Sequence, residues 1–244
     1  MALTAKAEGT TTAQVLSQGR LGTLGADANQ QGHVRGYARV SDLKFPLSAS
    51  ERESGRVSLS AGVLPGKLSV VRRGPKNEYV QSAVDLCDGE IDRDLEFFLE
   101  RSDQIPTVLA AEVLMQGDVV QLAAGVLVQA MPDGDRTRLA EIRAALAGGG
   151  LAQILKEVSD PQALLTHIQP DSEIVEAPVI MQFKCRCSQA RVVRSFQMLS
   201  PTELAEMIEA GEPSEVTCDF CATNYSVSVS EMQGVFELLA KAKA

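Results

Sequence analysis

The chain has 244 residues, 45% of them hydrophobic, enough for one large domain or a large and a small one. Its formal charge of −9 sets it apart from proteins built for general attraction to nucleic acid phosphates. No apolar run approaches the ~20 residues of a membrane span, and Met1 to Thr12 lack the basic-then-apolar order of a secretion signal, so a cytoplasmic protein with no membrane partner is expected.

Residues 13 to 80 read as short strands between glycine-rich turns, with Gly19, Gly22, Gly25, Gly32, Gly36, Gly55, Gly62 and Gly66 as punctuation. Val57, Leu59, Ala61 and Val63 alternate with small or polar residues, as in a half-buried strand. Leu68, Val70 and Val71 give another strand. The run 72–77, Arg-Arg-Gly-Pro-Lys-Asn, reads as an exposed, solvated turn.

Asp88 to Ser102 reads as a helix with Ile91, Leu95, Phe98 and Leu99 on one face, ended before Pro106. Cys87, just ahead of it, reads as a small buried apolar residue. Val119 to Met131 is rich in apolar and β-branched residues and reads as a core strand, with a bulge at Gly125. The turn Pro132-Asp133-Gly134-Asp135 closes the first domain, placed at 1–134.

Residues 135–183 are expected to form a helical linker. Leu139, Ile142 and Leu146 mark one helix, stopped by Gly148, Gly149 and Gly150. Leu151, Ile154 and Leu155 mark a second. A third starts with Asp160 as cap and Pro161 at its first position, and carries Ala163, Leu164 and Ile168. Helices this short draw most of their stability from packing against something else. His167 reads as a surface or packing residue rather than a ligand. The apolar stretch 177–183 then runs extended into the last module.

That module, 184–244, holds four of the five cysteines. Cys185-Arg186-Cys187 and Cys218-Asp219-Phe220-Cys221 are separated by the thirty residues 188 to 217. Two close pairs suit a tetrahedral Cys₄ zinc site, and the second pair has zinc-knuckle spacing. The one-residue gap of the first pair is crowded for purely structural ligands. Each pair is also close enough for a local disulfide, the first strained and therefore labile. In a long cytosolic chain, metal binding or redox chemistry is the expected use of such thiols.

Between the pairs, Ser188 caps a short helix with Val192, Phe196 and Leu199. Ser200-Pro201-Thr202-Glu203 is a capping box for a helix with Leu204, Met207 and Ile208 on one face, stopped by Gly211 and Pro213. Glu215 to Thr217 leads as a strand into the second pair, and Tyr225, Val227 and Val229 lead out. Ser230-Glu231-Met232-Gln233 reads as a second capping box, opening a helix with Met232, Phe236 and Leu239. The module has few apolar residues of its own, so a bound metal is expected to supply much of its folding free energy, on the order of 10 kcal/mol in structural zinc peptides.

Several chemistries compete for the four sulfurs. A zinc held by four thiolates offers no open position for water, which argues against metal-assisted hydrolysis. A plain structural zinc fits the spacing as well as a sensor does. Lys184, Arg186, Arg191 and Arg194 around the first pair would favour thiolate, or else form a solvated helix face. A nucleic-acid-binding ribbon could use Phe220 and Tyr225 for stacking, but residues 184–225 carry four basic against six acidic side chains. A thiol oxidoreductase using Cys218 and Cys221 would want a helix start in a βαβ context, which this segment lacks.

The run 183–188, Phe-Lys-Cys-Arg-Cys-Ser, followed by Val216-Thr217-Cys218-Asp219-Phe220-Cys221 and Tyr225, resembles the thirty-three-kilodalton heat-shock protein family. Further matches are Arg35-Gly36-Tyr37, the run from Phe97 to Thr107, and the run from Ala124 to Pro132. The resemblance implies an α+β fold: a larger N-terminal β-rich domain with packed helices, a helical linker and a small C-terminal Cys₄ zinc module. It implies one Zn²⁺ per reduced chain, held by Cys185, Cys187, Cys218 and Cys221, with Cys87 matching no ligand. It implies no enzymatic activity but a holdase chaperone independent of ATP. On this reading oxidants form Cys185–Cys187 and Cys218–Cys221, the metal leaves, module and linker unfold, and apolar surface captures unfolding client proteins. A homodimer is expected in the oxidised form. Ile154, Leu155, Leu164, Ile180 and Met181 are the expected newly exposed surface. Members carry a further N-terminal segment that this chain, starting at Met1-Ala2-Leu3, reads as lacking. Asp103 stands where the family tends to have glutamate.

Overall fold

A computed structural model describes residues 9–40, 58–74, 76, 78–116, 119–158, 160–170, 172–173 and 179–241. Packing divides the chain into two units, residues 1–32 with 38–180, and residues 33–37 with 181–244. The fold is mixed α+β, with a large β-rich N-terminal region, helices, and a cysteine cluster in the C-terminal part. The sequence positions Gly55, Val57, Pro75, Asn77, Ala177 and Pro178 fall outside the described residues.

In the first unit, β1 (Thr10–Ser17), β2 (Leu24–Asn29), β4 (Gly66–Arg73) and β5 (Tyr79–Asp85) pair antiparallel in the order β5-β4-β1-β2. Val15, Leu68 and Val70 point to one face and meet Phe98 and Leu99 there. Phe98 ends α2 (Ile91–Phe98), and Leu99 opens the π-helical turn that continues it to Asp103. The expected one-faced helix is present, and the left-handed Gln104 stops it before Pro106.

A long hairpin forms a middle layer. β6 (Thr107–Gln116) pairs antiparallel with β7 (Val119–Gln129), with Leu109 opposite Leu127 and Ala110 opposite Val126. Alternation along a strand sends successive side chains to opposite faces. Leu109 and Leu127 accordingly pack on the sheet core, while Val108, Ala110 and Val126 face the helices. Those helices are α3 (Arg136–Leu146), α4 (Gly150–Glu157) and α5 (Pro161–Ile168), which bury Leu139, Ile142, Leu146, Leu151, Leu155 and Ile168 against the hairpin. Asp135 and Asp160 cap α3 and α5 through Thr137 N and Ala163 N, both at 2.8 Å. Arg143 ties the layers: its Nη2 lies 3.0 Å from Glu96, 2.9 Å from Glu100 and 2.9 Å from the Thr107 carbonyl.

Several expectations are corrected. The alternating stretch ending at Val63 is not a strand there; Ser60–Val63 forms a helical turn, α1. Ser58 and Ser60 hydrogen-bond locally, which competes with a sheet ladder, and the Gly62 carbonyl accepts from Leu21 N at 2.9 Å. That approach needs a bare Gly19, whose added Cβ would lie 2.3 Å from the Gly62 oxygen. Arg72 and Arg73 are strand residues rather than a solvated turn, and Arg72 is paired with Asp103. The irregularity in the hairpin falls between Leu114 and Met115, not at Gly125. Cys87 is exposed rather than buried.

The second unit contains β3 (His33–Ala38, of which residues 33–37 cluster here), β8 (Gln182–Phe183), α6 (Gln189–Ser195), α7 (Pro201–Ala210), β9 (Ser214–Thr217), β10 (Asn224–Val227) and α8 (Val229–Lys241). β3 and β8 run parallel, with Val34 beside Phe183 and Lys184 N donating to the Val34 carbonyl at 3.0 Å. The Ser200/Glu203 capping box forms as the spacing predicts, and Gly211 ends α7 in the left-handed region. The second box is displaced: Ser228 pairs with Glu231, so α8 starts two residues earlier than expected and takes Val229 from the strand. Nor is the unit poor in core. Phe196, Leu204, Val227, Met232 and Val235 are buried together, with Val192, Met207, Ile208 and Phe236 among those packed around them.

Candidate metal centre

Each cysteine pair is placed by a short local device. Cys185 and Cys187 follow β8, and Ser188 directly after them caps α6 through Arg191 N at 3.4 Å. Cys218 and Cys221 occupy the turn between β9 and β10. Cys218 N donates to the Thr223 carbonyl at 3.0 Å, and Ala222 N returns a bond to the Cys218 carbonyl at 2.8 Å. Ala222 takes the left-handed conformation, which folds the turn back so that both sulfurs face one side. The strand pair beneath it, Thr217 opposite Asn224, fixes the base of the turn.

The four sulfurs converge. All lie within 4.8 Å of one another, with Cys185 Sγ 3.7 Å from Cys218 Sγ and Cys187 Sγ 3.3 Å from Cys221 Sγ. No disulfide joins them. Zinc–sulfur bonds of about 2.3 Å in a tetrahedron put sulfurs roughly 3.8 Å apart, so these positions fit a single tetrahedral ion. Four thiols also form the soft donor set that selects zinc over hard cations. The four half-buried cysteines could therefore hold one metal ion.

Neighbouring polar groups spread the charge of the free thiols unevenly. The Thr223 hydroxyl, 3.2 Å from Cys221 Sγ, leads the interactions that hold that thiol down to about 6. The Tyr225 hydroxyl donates to Cys187 Sγ at 3.0 Å and lowers it, but Cys185 and Cys221 outweigh this and push Cys187 up. The same bond drives Tyr225 itself up to about 12.

Sequence reasoning missed several members of this shell, Thr223, Tyr37 and Arg35 among them. Arg35, on β3, places Nη1 3.8 Å from Cys185 Sγ and its guanidinium 3.8 Å from the centre of the Phe220 ring. Tyr37 meets the same ring edge-on, with centroids 4.8 Å apart. The basic residues expected to serve the first pair, Lys184, Arg186, Arg191 and Arg194, are all exposed. The signal for Arg35 was present only as one of the matching segments, 35–37, with nothing local to link it to cysteines 150 positions away.

Cys87 stands apart from the four. Partial burial of its sulfur and the adjacent Asp94 carboxylate push the thiol up to about 11. Asp94 is buried and accepts from Cys87 N. His167 is exposed, as a surface residue.

The comparisons with known proteins agree with this architecture. The family model described as Hsp33 protein matches residues 1–228. A protein of Symbiobacterium thermophilum named 33 kDa chaperonin is 34% identical over 227 residues, covering 91% of this chain and 75% of that one. Another of that name, from Oceanobacillus iheyensis, is 28% identical over 232 residues, 93% of this chain and 79% of the other. In fold, the chain is similar to the crystal structure of the 33 kDa chaperonin from Thermotoga maritima. The TM-score is 0.80 at 24% identity, over 96% of this chain and 80% of that one. A match across nearly the whole chain, together with relatives that carry the chaperonin name, places the protein in the Hsp33 family of chaperones.

Proposed function

We propose that this chain is a redox-regulated holdase, a chaperone that binds unfolding proteins without ATP and is switched on when its cysteine cluster is oxidised. The convergence of four sulfurs from two segments thirty residues apart carries this reading. Cys185, Cys187, Cys218 and Cys221 are the proposed zinc ligands of the reduced form. A bound zinc ion would hold all four as thiolates and tie the β8 end of the unit to the β9–β10 turn.

Oxidation removes that tie. Each cysteine pair gives two electrons to one molecule of peroxide; one S–S bond forms and, with two protons taken up, two waters leave. The proposed products, Cys185–Cys187 and Cys218–Cys221, no longer offer four thiolate donors. The unit then keeps the apolar core around Phe196, Leu204 and Met232 without its crosslink. A module of about 60 residues is marginal in the surface that it buries, so losing the metal removes a large share of its stability.

Ile154, Leu155 and Leu164 fit a surface that oxidation uncovers, because they pack on the β6–β7 hairpin here. Ile180 and Met181 do not, since they are already 85% and 70% exposed. A dimer of the oxidised form and a cytoplasmic location belong to the same proposal. Among the described residues no helix is long and apolar enough to cross a membrane. The exposed aromatic face that a nucleic-acid ribbon needs is absent at Phe220, where Arg35 and Tyr37 sit.

The test is metal analysis and thiol counting on reduced and peroxide-treated protein, with aggregation of a thermally unfolding client followed by light scattering. The reading expects one zinc and no protection before oxidation, then zinc loss, four thiols lost and protection after it. Peptide mapping decides the pairing, because sulfur contacts of 3.7 and 3.3 Å run between the pairs. Equal protection in both states, or a reduced protein that binds no zinc, would overturn the proposal.

A further inference from the structure

We infer that Arg35 is a positioning residue of the cysteine cluster, and that strand β3 stays docked on the second unit only while the cluster holds its metal. The inference rests on the metal-site reading above and adds to it a component from the other end of the chain.

Four thiolates around a divalent ion carry a net charge of −2, which a half-buried site must offset. The Arg35 guanidinium reaches a cluster sulfur, 3.8 Å from Cys185 Sγ. Arginine keeps its charge at any relevant pH, and its flat group can stack on a ring while its edge donates to a sulfur. Arg35 does both, since its guanidinium also lies over Phe220, inside the Cys218–Cys221 turn. One side chain therefore touches both cysteine pairs, the first through a sulfur and the second through the turn that carries it.

The strand geometry supports the placement. Residues two apart on a strand share a face, so Arg35 and Tyr37 come down together on Phe220. The backbone of β3 is joined to the cluster segment at the same place, with His33 and Val34 beside Gln182 and Phe183 and Lys184 N bonded to the Val34 carbonyl one residue before Cys185. β8 has only two residues, so this pairing has little to sustain it besides the cluster next door. Outer-shell partners of metal ligands typically change affinity 10- to 100-fold when removed.

The experiment uses the full reduced chain loaded with Co²⁺, whose sulfur-to-cobalt charge-transfer band reports how firmly the sulfurs hold their electrons. Removing a cation beside Cys185 raises the sulfur donor level, so Arg35→Ala is expected to move the band to longer wavelength and to speed metal transfer to EDTA about tenfold. Arg35→Lys, which keeps charge without the planar stack, is expected to restore most of the band position but not the slow transfer. An unmoved band in Arg35→Ala overturns the inference, because a merely structural arginine does not act on sulfur energies. If Arg35→Ala does not fold, Phe220→Leu removes the platform that aims the guanidinium; a band shift there supports the inference and an unchanged band overturns it. Amide exchange at Lys184 in the wild type reads the strand. It is expected to accelerate when EDTA strips the metal, and continued protection overturns the coupling. A wild-type chain that takes up no Co²⁺ overturns the metal reading itself, which separates the two failures.

Discussion

The Tyr225 hydroxyl donates to Cys187 Sγ at 3.0 Å, joining β10 to the segment after β8. The bond holds one sulfur of the first cysteine pair against the strand that leads out of the second. Tyr225→Phe removes the donor and leaves the ring. Zinc affinity is expected to fall about tenfold, measured by competition with a chromophoric chelator. An unchanged affinity would mean that the hydroxyl does not serve the ligand.

Leu151 is fully buried between α4 and the hairpin. Leu151→Ala is expected to cost about 3 kcal/mol, from lost transfer energy and the cavity left behind. Because α3 to α5 cover the apolar face of β6 and β7, the variant should also bind an apolar dye in its reduced state, before any peroxide is added. Urea unfolding and dye fluorescence check the two halves. A destabilised variant with no added dye binding would show that these helices do not cover the client surface.

Arg72 and Asp103 form a two-point pair, Nη1 to Oδ1 at 3.0 Å and Nη2 to Oδ2 at 2.6 Å, with side chains only 26% and 17% exposed. The pair fastens the π-helical turn after α2 to the end of β4, and the guanidinium also lies 5.9 Å over Phe98. Asp103→Asn leaves a partly buried cation without its counter-charge and is expected to cost roughly 2 kcal/mol. Asp103→Glu keeps the charge and should cost less. Denaturant melts of both variants rank them, and equal stability would discount the pair.

Cys87 is the thiol expected to resist chemistry. A rise from 9.0 to about 11 lowers its thiolate fraction at pH 8 about 100-fold relative to an ordinary cysteine. Since the thiolate is the form that reacts, alkylation by iodoacetamide should be slow at pH 8 and rise with pH through about 11. Asp94→Asn removes the negative neighbour while keeping an oxygen for Cys87 N, and should speed the reaction at pH 8. Mass spectrometry of tryptic peptides follows both. Rapid labelling of wild-type Cys87 at pH 8 would contradict the carboxylate's influence.

Local signals proved legible wherever they were complete within a few residues. Asp160-Pro161, Ser200 with Glu203, and the glycines at 148–150 each specify a helix end by chemistry that needs no distant partner. The four cysteines were legible for the same reason, as two short pairs. β6 was not singled out, because Leu109, Ala110, Ala111, Glu112, Leu114 and Met115 are good helix formers. Pairing with β7, and packing of Val108, Leu109 and Ala110 against the two cores on either side, make that run a strand. The second capping box was misplaced because Ser228 and Ser230 both fit the pattern, and the hydrogen bonds of Glu231 decide between them. Arg35 was invisible as a cluster residue because what places it is a parallel pairing between residues about 150 apart.

The second unit is discontinuous along the chain, five residues near the start and sixty-four at the end. No single backbone scission can therefore liberate it intact. A fragment beginning at Met181 would carry all four cluster cysteines yet arrive without Arg35, and so would a hybrid joining residues 181–244 to another chain. Segment 33–37 has to travel with the cysteines in any such transplant.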